Sequence, residues 1–141
     1  MTWIFYAFLS AITAALVAIL GKLGLRSIDT TLATTIRSIV MAVFLVLASV
    51  ALKKFDGFSF SSLGSRDWLL IISSGVVGAL SWLFYFFALK SGGASQVSAI
   101  DRLSIVFVVV LAAVFLGESL TWKSLLGAFF IVIGVLCISL K

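Results

Sequence analysis

The sequence predicts an all-α integral membrane protein of five transmembrane helices. Hydrophobic residues make up 63% of its 141 positions, and the mean hydropathy is +1.33. Only 11% of the residues are charged, against about 25% in an average soluble chain, so the apolar surface exceeds what one soluble core can hide. The charges sit singly or in pairs between apolar blocks about as long as the roughly 20 residues that cross the hydrocarbon layer. Such runs, without strand-like alternation, can satisfy their backbone hydrogen bonds in oil only as helices.

The first span, about 3–21, opens on Trp3 and Tyr6 and stops at Gly21 and Lys22. With no basic leader before it, it reads as a retained span rather than a cleaved signal. The second, about 30–52, is stopped by Lys53 and Lys54 and contains Arg37, which makes its first half polar. The third, about 67–89, lies between Asp67 and Lys90, opens on Trp68 as an interfacial anchor and holds no charge. The fourth, about 94–116, follows the breaker Ser91, Gly92, Gly93, contains Asp101 and Arg102, and ends at Gly117 and Glu118. The fifth, about 121–140, starts at Thr121, a suitable N-cap, with Trp122 and Lys123 at the border. The longest connection, Lys53 to Arg66, carries an Asp56-Gly57 turn and Phe55, Phe58 and Phe60 among serines, which suits the membrane interface. These blocks use nearly the whole length, so one domain over 1–141 is expected, with no soluble second domain.

Composition also limits chemistry. With no histidine, one cysteine (Cys137) and five scattered acids, no ligand set for zinc, haem or an iron–sulfur cluster can be assembled, and no cofactor and no enzyme activity are expected. The net charge of +5 builds no basic stripe, so nucleic acid is not an expected partner. The charges are those of membrane borders. With the N-terminus inside, Lys53, Lys54, Arg66 and Lys123 lie on one side and Lys22, Arg26, Lys90 and Lys141 on the other. Orientation follows the Lys/Arg difference across short loops, and this tie is compatible with both orientations or with a single one set by a small bias; counting Arg37 and Arg102 slightly favours the N-terminus outside.

Charges within spans carry the functional signal. Arg37 lies about seven residues into the second span, Asp101 and Arg102 about seven and eight into the fourth, and even-numbered spans run in one direction, so an ion pair between them is open. A charge at the centre of a span costs roughly 2.5–3.5 kcal/mol on insertion scales, and such groups normally face a bundle interior or wet cavity. Helix starts four residues later would instead leave them among the headgroups. Thr30, Thr34 and Arg37 share one helical face, and Ser95, Ser98 and Arg102 another, with Asp101 beside them. Two arginines to one aspartate keep Asp101 ionised in a charge network, and the surplus positive charge admits phosphate or carboxylate substrates. Trp82 and Tyr85, three apart, suit an apolar or cationic substrate, or simply face lipid or core. Tyr6, Ser10 and Thr13 form a polar stripe on the first span. Glu118 is placed to cap the fifth helix or pair with Lys123.

Several of these segments resemble the EamA family of the drug/metabolite transporter superfamily. The segment LGESLTWKSLLGAFFIVIGVL from Leu116 is similar to that family's fourth-to-fifth helix signature. AFLSAITAALVAILGKLGLRSIDTTLATTIRSIV and GALSWLFYFFALKSGGASQVSAIDRLSIVFVVVLAAVFLGE look like the remaining helices of a single-repeat member. Most of that family carry two inverted five-helix repeats, so the resemblance implies one repeat standing alone, in the cell's inner membrane. Single-repeat members often read Pro-Ile-Asp-Lys where this chain has Ala99, Ile100, Asp101, Arg102. Without the proline, Gly92 and Gly93 are left to supply flexibility.

In the fifth span Gly127, Ile131, Gly134 and Val135 resemble the dimerisation helix of the small multidrug resistance transporters. Gly127 and Gly134, seven apart, share a face that permits close helix approach, either to a second copy or to another helix of the same chain. The membrane glutamate those proteins use in their first helix has no counterpart here. Together these features imply a secondary transporter of small metabolites or drugs, an antiparallel homodimer working by alternating access. A subunit of a polyprenyl-phosphate-linked lipid flippase, paired with a second half-size subunit, and a non-transporting scaffold are the alternatives.

Overall fold

Helices in this chain stop where a charge, a glycine or a cap interrupts the apolar runs. The computed structural model describes residues 2–59 and 62–140. Over these the elements are α1 (Thr2–Gly24), α2 (Thr30–Ala51), α3 (Ser65–Ser91), α4 (Ala94–Asp101), α5 (Ser104–Leu116) and α6 (Trp122–Ser139). Five helical stretches are long and apolar enough to cross a membrane, with Ala94–Leu116 counted as one. Phe60 of the expected interfacial loop and the C-terminal Lys141 lie outside the described residues.

Local chemistry accounts for the ends. Asp29 is the N-cap of α2, its carboxylate accepting from the Thr31 N–H at 2.9 Å and the Leu32 N–H at 3.1 Å, two donors that a helix start leaves without partners. Asp67, in the first turn of α3, accepts from the Gly64 N–H at 3.1 Å, and Lys90 sits in the last turn, where a cation is favoured. Thr121, not Glu118, caps α6, its hydroxyl accepting from the Ser124 N–H at 3.1 Å. Gly117 closes α5 at φ +67, and Gly57 sits at φ +75 in the turn expected at Asp56-Gly57; both conformations suit glycine because a side chain is strained there.

The fourth apolar stretch differs from the expected continuous helix. It is broken at Arg102–Leu103, where Arg102 donates to the Ala99 carbonyl and Leu103 to the Ile100 carbonyl, each three residues back. The tightened turn needs no proline, since φ and ψ near −67° and −12° at Arg102 are 3₁₀-like values open to any residue. Gly93, expected to supply flexibility, has an ordinary extended conformation as the N-cap of α4.

The chain divides into two compact units at Leu23/Gly24 and Lys90/Ser91. In the unit that holds α1, α4, α5 and α6, α6 packs on both α4 and α5. Gln96 Nε2 reaches the Ser139 carbonyl at 3.5 Å. Lys22 Nζ donates to the Gly92 carbonyl at 2.8 Å, tying the last turn of α1 to the link before α4. Ala18, Val97, Ala99 and Val135 are its buried apolar side chains. The other unit holds α2 and α3 and buries Leu25, Phe86 and Leu89 with Thr30 and Thr34.

So short an inventory decides what surrounds the protein. α5 buries nothing, and side chains such as Trp3 and Leu116 are more than 70% uncovered. Apolar patches this extensive are not met on soluble monomers, whereas lipid chains cover them at no cost.

The cap at Asp29 gives a test. Its hydrogen bond from Leu32 holds the carboxyl below its ordinary value, against the opposing effect of desolvation, with Thr31 and the nearby Lys90 adding to the lowering. A depressed folded-state value means the stabilisation is present above the usual carboxylate range and is lost as pH falls through the folded value. Asp29→Ala should therefore lower the thermal unfolding midpoint in detergent at neutral pH, and the gap from wild type should close in strong acid. Equal midpoints at neutral pH would contradict the cap's contribution.

Candidate functional site

Arg37 stands in the middle of an apolar span because α2 starts at Thr30. Seven residues at 1.5 Å each put it about 10 Å along the axis, roughly 5 Å short of the helix midpoint. Hydroxyls share its face. Thr34 Oγ1 donates to the Thr30 carbonyl at 2.7 Å, and Ser38 Oγ donates to the Thr34 carbonyl at 2.9 Å. Thr35 does the same to Thr31 at 2.9 Å. Donation to the carbonyl four residues back lets polar side chains enter oil with their donors satisfied.

Two polar atoms on this face are left over. Thr30 is 1% exposed, and its Oγ1 has no hydrogen-bond partner. Arg37 Nη1 is buried and likewise has none. The guanidinium is held instead by its π face: Cζ lies 3.8 Å from the Trp82 ring centroid and 5.1 Å from that of Phe86, both on α3. Trp82 is fixed edge-on to Tyr85 with centroids 5.7 Å apart, and Phe86 packs at 5.8 Å from each of these rings. Trp82 and Tyr85 do belong to one cluster, but the cation over Trp82 is Arg37. One face of the Trp82 ring is thus already occupied by a cation. The spacing of Trp82 and Tyr85 suggested an aromatic pair; that Arg37 covers it depends on the packing of α2 on α3, which no spacing within one helix reveals.

The remaining expected site residues lie in the unit that holds α1, α4, α5 and α6. Asp101 ends α4 and Arg102 caps it at the break, and both are exposed. Ser98 is half-buried. On α1, Tyr6, Ser10 and Thr13 are uncovered. Thr13 Oγ1 is spent on the Leu9 and Ser10 carbonyls, each at 3.0 Å, and Tyr6 meets Phe5 edge-on at 5.9 Å. On α6, Gly127 is exposed, Ile131 and Gly134 are half-buried and Val135 is buried. A Cβ placed on Gly127 or Gly134 would meet no atom within 4 Å. Packing inside the protomer therefore does not require either glycine.

Five membrane-crossing helices define a multi-pass membrane protein, and the comparisons place it in a family. The chain matches the EamA-like transporter family over residues 1–140 and belongs to it. It is 39% identical over 138 residues to a Sinorhizobium protein described as an uncharacterized transporter in the cobO 3′ region, an alignment that covers 98% of this chain and 96% of that one. No solved structure matches. Membership points to a transporter rather than an enzyme.

Arg37 can be tested for a structural role. Its cation–π contacts are worth about 0.5–2 kcal/mol, while a charge at span centre costs roughly 2.5–3.5 kcal/mol. The second term wins, so Arg37→Met should unfold no earlier than wild type in a thermal melt of detergent-solubilised protein. A clearly lower midpoint would make Arg37 a helix staple.

Proposed function

We propose that the protein is a secondary transporter of small metabolites or drugs in the cell's inner membrane, a homodimer of antiparallel five-helix protomers working by alternating access. The observation that carries this is Arg37: an uncompensated cation inside a span, fixed on Trp82 and Phe86 with a buried donor unused. A charge kept inside a span is retained for what it binds. Family membership and the transporter-named relative support the same conclusion.

A second copy completes the assembly. Asp101 and Arg102 are uncovered at the break in a membrane-crossing stretch, where lipid chains would solvate them poorly. A partner protomer turns them toward a wet interior; within their own unit Ser98, Tyr6, Ser10 and Thr13 add polar lining, and within the α2–α3 unit Thr34, Trp82 and Tyr85 line the face that carries Arg37. Gly127, Ile131 and Gly134 form the contact between copies, with Val135 packed behind them inside the protomer, and the near-equal distribution of basic residues permits the opposite insertion that inverted-repeat transporters build into one chain.

Arg37→Ala and Asp101→Ala are each expected to reduce uptake of labelled metabolites by membrane vesicles about ten- to a hundredfold, the equivalent of losing one charge-assisted hydrogen bond, while the protein still inserts. Gly127→Leu should leave each protomer folded but shift native mass spectra from dimer to monomer and stop uptake. Normal uptake by both charge variants would remove the site, and a Gly127→Leu dimer would remove the interface.

A further inference from the structure

Resting on the transporter function proposed above, we infer that the α2 face carrying Thr30, Thr34 and Arg37 recognises an oxyanion, so that the substrate class is organic anions bearing carboxylate or phosphate. The Arg37 guanidinium over Trp82 works against the cations that an intramembrane aromatic pair also suggested.

The inference follows from which acceptors the unit holds. Its three acidic side chains are Asp29, Asp56 and Asp67, against six basic ones. Asp29 is engaged by the Thr31 and Leu32 N–H groups at the N-cap, and Asp67 by the Gly64 N–H before α3. Asp56 sits exposed in the loop beyond the opposite end of α2. None is hydrogen-bonded to Nη1, which is buried and without a partner.

A guanidinium has five donors in a planar fork and cannot release its proton. With one π face on Trp82, its edge is the part free to bond, and a fork edge matches the paired oxygens of a carboxylate or phosphate. Thr30 Oγ1, a second orphan that is 1% exposed, lies seven residues back on the same face, about 10 Å along the axis. It offers a neutral partner to a second polar group of the same ligand. Thr34 between them is already bonded to the Thr30 carbonyl, so the two ends of the face, not its middle, hold the unused donors.

The bearer of the oxyanion is either a free solute or a lipid headgroup, and titration separates them. Purified full-length protein in phosphatidylcholine nanodiscs is titrated calorimetrically with benzoate, with inorganic phosphate and with the cation tetraphenylphosphonium; a parallel set of discs contains phosphatidylglycerol. Benzoate or phosphate is expected to bind, at least about tenfold more weakly to Arg37→Gln, with part of the loss restored in Arg37→Lys. Loss of free-anion binding in phosphatidylglycerol discs, dependent on Arg37, assigns the same oxyanion site to a headgroup.

Failure of both anions and of phosphatidylglycerol to register, equal affinity in Arg37→Gln, or Arg37-dependent binding of tetraphenylphosphonium alone overturns the inference. Site and transport fail separately. Arg37-dependent anion binding by a protein that moves no solute would leave the site and remove the transporter, whereas cation uptake that survives Arg37→Gln would do the reverse.

Discussion

A guanidinium held near the middle of a membrane-crossing helix, with a buried donor that no side chain or carbonyl among the described residues accepts, is the constraint on which the rest depends. It is tolerated because Trp82 and Phe86 supply a π surface and because the neighbouring hydroxyls of Thr34, Thr35 and Ser38 are satisfied within α2. The cap at Asp29 fixes where α2 begins and hence how far Arg37 lies from the helix start. A helix beginning one turn later would move the cation about 6 Å toward its N-terminal end, closer to headgroups that could solvate it.

The apolar side chains that the protomer leaves uncovered follow from the same solvent. Between helices in a bilayer there is no hydrophobic driving force, so a chain can remain folded while burying only a handful of apolar side chains. What lipid does not supply is a partner for Asp101 and Arg102, exposed at the break between α4 and α5. Open space around Gly127 and Gly134 adds to this. A Cβ at either position would meet nothing among the described residues within 4 Å, which leaves room for another backbone. A homodimer would use both features at once, consistent with the inverted-repeat plan of transporters.

The fold was largely legible in the sequence, since apolar blocks of bilayer length separated by charges are a strong signal for spans. Thr121 was readable as a cap because a threonine precedes the last span. The break at Arg102–Leu103 was not legible: a 3₁₀ turn there uses backbone angles any residue adopts, and the proline that would have announced it is absent. For the site, Arg37, Thr30 and Thr34 could be placed on one face from spacing alone. The guanidinium is engaged by Trp82, a contact between α2 and α3 that a helical repeat does not encode. The unused Nη1 donor becomes visible only once those helices are packed.

The most direct measurement is aqueous access to position 37. In a Cys137→Ser background, Arg37→Cys is exposed in intact membranes to a membrane-impermeant, negatively charged thiosulfonate, with Val46→Cys, on the opposite face of α2 and uncovered, as the lipid-facing control. If Arg37 faces a water-filled interior, position 37 reacts and position 46 does not. Reaction of position 37 with lipid-soluble maleimide alone would show that the guanidinium lies against oil, and the account of a wet binding face would be wrong.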